Sequence, residues 1–185
     1  SSGTQQENVN AGNVTITQRG GSQISASGVS ATGIFAQNVT SGTHGMGNVL
    51  LTVGGSVIGG SGSKAYGIWV DGGSTGNSLI VNAGGSVSAA SKLAINYTGY
   101  TGLSVSNSGT VAGAVTLYGS NGPSASYGTF TNNSGGTFFA EEAIRAEVVN
   151  NGRLSVGVDG NSAAVATFFN SYSTQDSTLA SLDFD

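Results

Sequence analysis

The sequence predicts an all-β protein that folds as one right-handed parallel β-helix, a solenoid with three short strands in each coil. Three observations lead to this prediction. The chain of 185 residues contains 32 glycines, and only 8% of its residues are charged. A short turn unit recurs along the chain at uneven intervals, and a short alternating strand precedes it. Such repeats are typical of solenoids, whose units each contact only their neighbours.

Composition argues against helices and against several classes of partner. Gly, Ser, Thr and Asn dominate the polar residues, and all four are mediocre or poor helix formers. A disordered linker has a similar composition, but here the apolar residues form short Val, Ile, Leu and Phe runs separated by glycine. Five basic residues and a net charge of −4 exclude binding to nucleic acid through many phosphate contacts. No apolar stretch is long enough for a membrane-spanning helix, so we expect no membrane insertion.

The turn unit consists of Asn or a small residue, then Gly, then Ser or Thr, then an apolar residue. It occurs at Gly20–Ile24, Gly54–Val57, Asn82–Val87, Asn107–Val111, Asn133–Phe138 and Asn151–Leu154. Its apolar residues predict one inward column that contains Val87, Val111, Phe138 and Leu154.

Short strands are predicted on both sides of each turn. Segments such as Leu51–Val53 and Leu103–Val105 alternate apolar and polar residues, which places the two types on opposite faces. A third strand type is predicted at Gly33–Ala36 and Gly67–Val70, within stretches that align from Ala31 to Asn38 and from Ala65 to Gly72. A β-sandwich remains an alternative because Asn-Gly pairs, typical of hairpins, also occur.

Four asparagines of the turn units are predicted to form a structural ladder: Asn82, Asn107, Asn133 and Asn151. Stacked Asn side chains can hydrogen-bond along such a column. Alternatively, they are only turn formers, because Asn tolerates the left-handed backbone conformation.

Residues 1–185 are predicted to form a single β-helix domain of about seven irregular coils, at roughly 25 residues per coil. Exposed strand edges at the ends of a solenoid need covering. We therefore expect an N-terminal cap over residues 1–13. For residues 170–185 we expect either a C-terminal cap or the point at which a longer protein was cut.

Several segments resemble coils of autotransporter passenger domains of the pertactin type. They are Gly21–Asn38, Ala65–Gly73, Asn82–Ser91 and Asn107–Leu117. The resemblance implies a Gram-negative cell-surface or extracellular protein that is exported through the outer membrane by type V secretion and acts in adhesion or autoaggregation. The absence of cysteine is compatible with transit through an oxidising periplasm.

No catalytic residue, metal ligand or cofactor is predicted. His44 is the only histidine, and in a Gly/Thr loop we interpret it as solvated. The densest charged cluster contains Glu141, Glu142, Arg145 and Glu147. We expect it on a corner or a short helical turn, and we interpret its side chains as solvated.

Aromatic residues in or near insertions are the candidate binding residues, namely Tyr66, Trp69 and Tyr97. Exposed aromatics there can contact sugars or proteins, whereas buried ones would fill corners of the coil.

The sequence thus favours a non-enzymatic surface module that acts in adhesion, autoaggregation or biofilm formation. Its partners would be copies of itself on neighbouring cells, bound through lateral Ser, Thr and Asn faces, or a host surface protein or glycan. The alternatives are a carbohydrate-active β-helix enzyme and a receptor- or glycan-binding adhesin. An ice-binding solenoid is disfavoured because the coils vary too much.

Overall fold

The structure is a computed structural model that describes residues 11–39, 46–99, 101–119, 126–157 and 166–168. Within these ranges the protein is all-β, with eighteen strands and no helix. The predicted caps lie outside the described residues, apart from residues 11–13.

The first sheet contains six parallel strands that are hydrogen-bonded in chain order. They are β1 (Val14–Gln18), β4 (Val49–Val53), β7 (Ser78–Val81), β10 (Ser104–Asn107), β14 (Thr129–Asn132) and β16 (Glu147–Asn150).

The second sheet contains two further series of parallel strands. One series is β2 (Gln23–Ser25), β5 (Ser56–Gly59), β8 (Ser86–Ala89), β11 (Thr110–Thr116), β15 (Thr137–Arg145) and β17 (Arg153–Val156). The other is β3 (Ile34–Asn38), β6 (Ile68–Gly72) and β9 (Leu93–Thr98), which continues through the second halves of β11 and β15 to β18 (Ala166–Phe168). The long strands β11 and β15 therefore join the two series. A separate antiparallel pair consists of β12 (Tyr118–Gly119) and β13 (Ser126–Tyr127).

The chain passes through these three series in the same order in each repeat. The described residues contain six repeats, one fewer than the predicted coil number. Repeat length is uneven because the connections differ, while the register of the first sheet is kept: Val14 pairs with Val49, whereas Phe130 pairs with Val148. As the sequence predicts, Ile34 of the third strand type pairs with Ile68.

The core consists of inward side chains stacked in register. The predicted column is confirmed, since Val87, Val111, Phe138 and Leu154 are successive partners. The first three are fully buried, and Leu154 packs against the core while partly exposed. A second column from the first sheet runs from Leu51 to Phe130, with Phe130 and Phe138 rings 4.5 Å apart.

Glycine pairs in the turns have distinct backbone roles. Gly84 and Gly135 have φ of 81° and 84°, a left-handed conformation that glycine adopts without steric cost. The following glycine lies close to the neighbouring repeat: a Cβ on Gly85 would lie 2.6 Å from the carbonyl oxygen of Val53. In these two turns the Gly–Gly pair therefore combines one left-handed conformation with one close backbone approach.

Candidate functional site

Hydroxyl side chains line the outward surface of the first sheet. Because alternate residues of a strand face opposite sides, the residues directly before and after each buried core residue on the same strand face outward. One outward column contains Thr17, Thr52, Ile80, Ser106, Thr131 and Val149. A neighbouring column contains Thr15, Leu50, Ser78 and Ser104, and Thr129 and Glu147 follow on the next strands. We call this surface the hydroxyl face.

The hydroxyl face also carries partly exposed apolar groups and little charge. Ile80 and Val149 are 42% and 40% exposed. Glu147 is the one charged residue in the two columns, and its Oε2 accepts a hydrogen bond of 3.3 Å from Thr129 Oγ1. Asn133 Nδ2 donates to the hydroxyl oxygen of Ser106, which orients that side chain. The face is therefore an array of groups that both donate and accept hydrogen bonds.

An aromatic cluster of Phe35, Tyr66 and Trp69 lies on a different surface, at the outward side of β3 and β6. Phe35 pairs with Trp69 across the two strands. The Trp69 ring centroid lies 4.8 Å from that of Phe35 and 5.7 Å from that of Tyr66. Phe35 is 49% exposed, and Trp69 and Tyr66 are half-buried. Trp69 lies within strand β6, in agreement with the third strand type predicted at Gly67–Val70, and not in an insertion.

A chain of polar side chains continues from the aromatic cluster across three strands. Trp69 Nε1 donates to Thr98 Oγ1 at 2.9 Å, and Thr98 Oγ1 donates to Asp71 Oδ1 at 2.7 Å. Gln37 Nε2 donates to Asp71 Oδ2, also at 2.7 Å. These bonds fix the indole and the carboxylate relative to each other.

Tyr97, the third predicted binding residue, is 1% exposed and belongs to the core. It points inward because it lies two residues after the buried Ile95 in β9. Its hydroxyl accepts a hydrogen bond from Asn77 Nδ2 at 3.3 Å. Tyr97 is therefore not available on the surface with Trp69 and Tyr66.

The asparagine ladder has a different membership from the predicted one. Asn107, Asn132 and Asn150 are successive partners in the first sheet. Asn107 Nδ2 donates to Asn132 Oδ1 at 2.8 Å, and Asn132 Nδ2 donates to Asn150 Oδ1 at 2.7 Å.

Asn82, Asn133 and Asn151 lie one position later than this ladder. Their backbone N–H groups bond to Val53, Asn107 and Asn132 of the preceding repeat. In two of them, Asn82 and Asn133, the carbonyl also closes the glycine turn. The predicted set combined one strand residue, Asn107, with three residues that lie one position later in their repeats. The two positions look alike in the sequence because the turn after Asn107 is shorter than the turns after Asn82 and Asn133.

Of the charged cluster, Glu141, Glu142 and Arg145 lie in strand β15, where this strand passes from one series of the second sheet to the other, and Glu147 lies in strand β16. None of the four lies on a helical turn. The pairing between β11 and β15 shifts register after Gly113, where β15 contains extra residues. Glu142 there has a φ of 58°, uncommon for a residue other than glycine. Glu141 is 7% exposed, and its Oε2 lies 3.2 Å from Lys92 Nζ. The interpretation of the whole cluster as solvated is therefore wrong for Glu141.

An open groove of about 480 Å³ lies beside this bulge, lined in part by Ser63, Ser91, Thr116 and Glu142. His44 lies outside the described residues. Among the described residues, no three His, Asp or Glu side chains lie close enough to hold a metal ion. That part of the chain also contains no long apolar helix of the kind that crosses a membrane.

Comparisons with protein-family models, curated proteins and solved structures gave no match.

Proposed function

We propose that the repeated three-strand path forms the coils of a right-handed parallel β-helix. The support is topological: successive strands of each series pair in parallel, and the described parts of the connections contain no helix. The stacked columns of Val, Ile, Leu and Phe supply the continuous core that such a coil requires. Insertions between repeats leave the register unchanged, as a solenoid permits.

We further propose that the protein is a non-enzymatic adhesion module on the surface of a Gram-negative bacterium, similar to an autotransporter passenger domain. The observation that supports this role best is the hydroxyl face. Successive positions along each column are one strand separation apart, about 4.8 Å, and Ser or Thr occupies most of these positions. Because hydroxyl groups both donate and accept, the face can be complementary to a copy of itself.

Weak contacts summed over many copies would supply the adhesive strength. A single hydrogen bond contributes about 0.5–1.5 kcal/mol net, so two isolated copies would associate weakly. Many copies on two opposed cells would bind through avidity. The chain has a net charge of −4, and a face with little charge limits the repulsion between copies.

The groove beside Glu142 is a weaker basis for a carbohydrate-active enzyme. Glycoside hydrolysis generally needs two carboxyl groups on either side of the bond, about 5–9.5 Å apart. Glu142 lines the groove, but its neighbour Glu141 is buried against Lys92. The hydroxyl face therefore supports adhesion better than the groove supports catalysis.

Charged substitutions on the hydroxyl face are expected to abolish cell clumping without unfolding the protein. The variant combines Thr52→Asp, Ser106→Asp and Thr131→Asp, which lie half-exposed in one outward column. Three added carboxylates on each copy would repel the same face of another copy. Sedimentation of cells that display the chain measures clumping, and thermal denaturation of the purified chain checks the fold.

The control variant combines Ser86→Asp, Ser88→Asp and Thr110→Asp, half-exposed residues on the outward side of β8 and β11. It carries the same added charge and should leave clumping unchanged. Equal loss of clumping in both variants, or no clumping by the unmodified chain, would contradict self-association through the hydroxyl face.

A further inference from the structure

The aromatic cluster places apolar rings on the surface where the fold does not need them. Phe35 and Trp69 occupy outward positions of β3 and β6, opposite to the buried residues Ile34 and Ile68. Phe35 is nevertheless 49% exposed. The Trp69 ring contacts both other rings, so the three form one apolar patch, and such patches commonly mark interaction sites.

The ring arrangement disfavours a cation as the ligand. Recognition of a quaternary ammonium group uses rings that surround the cation. Here the ring centroids are only 4.8 and 5.7 Å apart, so the rings contact each other and leave no space between them. They can instead receive a ligand that lies against the patch with an apolar face.

A fixed hydrogen-bond acceptor lies beside the patch. Asp71 follows Trp69 by two residues on the same outward side, about 6.6 Å along the strand. Each Asp71 oxygen accepts one hydrogen bond, from Thr98 or from Gln37. A carboxylate offers about four acceptor sites in total. Each oxygen therefore keeps capacity for a further donor, such as a ligand hydroxyl.

We propose that Phe35, Trp69 and Asp71 form a binding site for a neutral saccharide. A sugar ring combines an apolar C–H face, which can pack against aromatic rings, with peripheral hydroxyls that can donate to a carboxylate. Charge selects a neutral sugar, because Asp71 and the net charge of −4 would repel an acidic one. The Trp69–Thr98–Asp71 hydrogen bonds hold the two recognition groups in place before binding, which reduces the entropic cost of binding. This site lies on a different sheet from the hydroxyl face and does not depend on the proposed function.

Tryptophan fluorescence can test the site directly, because Trp69 is the only tryptophan in the chain. The full chain would be titrated with neutral cello-, xylo-, manno-, galacto- and chito-oligosaccharides. Sialylated oligosaccharides and tetramethylammonium would be titrated as comparisons. We expect at least one neutral oligosaccharide to change the emission saturably, with a Kd of about 0.1–1 mM, usual for a small exposed site.

Three variants, all of which retain Trp69, distinguish a loss of binding from a loss of folding. Phe35→Ala and Asp71→Asn are each expected to weaken binding by about tenfold, since each removes one recognition group. Phe139→Ala, an outward half-buried aromatic of β15, is the matched control and should bind normally. Thermal denaturation would show whether each variant keeps the fold.

The proposal is overturned if no neutral oligosaccharide changes the emission at millimolar concentration. It is also overturned if tetramethylammonium or an acidic sugar binds in place of a neutral one. Binding that survives both Phe35→Ala and Asp71→Asn in folded protein would equally exclude this site.

Discussion

Val111→Asp is expected to unfold the protein. Val111 is fully buried and has Val87 and Phe138 as its partners on the two neighbouring strands. An uncompensated buried carboxylate costs several kcal/mol, and the lost Val packing adds to this. A total of about 4 kcal/mol or more is a large part of the 5–15 kcal/mol that holds a typical domain folded. Circular dichroism during urea or thermal denaturation measures the effect.

Ala112→Asp is the matched control for this prediction. Ala112 is the next residue of β11, half-exposed on the outward side, and a carboxylate there remains in contact with water. The free energy of unfolding of the Ala112→Asp variant should change by less than about 1 kcal/mol. If Val111→Asp folds as stably as Ala112→Asp, the inward column has been assigned to the wrong face.

Asn132→Ala is expected to lower the free energy of unfolding by about 2–4 kcal/mol. Asn132 is fully buried and accepts from Asn107 Nδ2 at 2.8 Å. It also donates to Asn150 Oδ1 at 2.7 Å and to the Arg153 carbonyl at 3.0 Å. A weaker bond joins Asn132 Nδ2 to the Gly136 carbonyl at 3.4 Å. Alanine removes all four bonds and leaves part of the Asn107 amide without its partner. The midpoint of urea denaturation measures the loss.

Asn133→Ala is the control that distinguishes a residue of the observed ladder from a neighbouring turn residue. Asn133 Nδ2 donates to Ser106 and Ser108 hydroxyls in a half-exposed setting, and its backbone bonds persist in alanine. We expect a loss of about 1 kcal/mol or less. A loss equal to or larger than that of Asn132→Ala would contradict the observed register.

The core could be predicted from the sequence because one pattern repeats there. The apolar residue after each Gly–Ser or Gly–Thr turn marks Val87, Val111 and Phe138, and the structure stacks them. The aligned third-strand segments likewise predict the pairing of Ile34 with Ile68. Alternation with period two then places the residues directly before and after them on each strand outward.

The asparagine register could not be read from residue type alone. Asn107 ends strand β10, whereas Asn82 and Asn133 begin turns, and all three precede a glycine. Only the backbone hydrogen bonds between repeats distinguish these positions. Asn132, the buried residue of the ladder, is followed directly by Asn133. An alignment of the repeats that is wrong by one residue therefore still places an asparagine at the ladder position.

The aromatic cluster was only partly predictable. Tyr66 and Trp69 were candidates, but Phe35, Gln37 and Asp71 were missed. The alignment that pairs Ile34 with Ile68 also pairs Phe35 with Trp69 and Gln37 with Asp71, so this signal was present. By contrast, nothing in the sequence marks the extra residues in β15 that bury Glu141.

Contact between hydroxyl faces on neighbouring cells is the central functional claim, and site-specific cross-linking tests it most directly. The chain has no cysteine, so single thiols can be introduced without background. Thr52→Cys and Thr131→Cys place a thiol on the hydroxyl face, and Ser88→Cys places one on the outward side of β8. Two cell populations displaying differently tagged chains would be mixed and treated with a short bismaleimide.

We predict covalent dimers that carry both tags for Thr52→Cys or Thr131→Cys, and few or none for Ser88→Cys. Mixed-tag dimers formed equally by Ser88→Cys, or their absence from both hydroxyl-face variants in clumped cells, would contradict the claim.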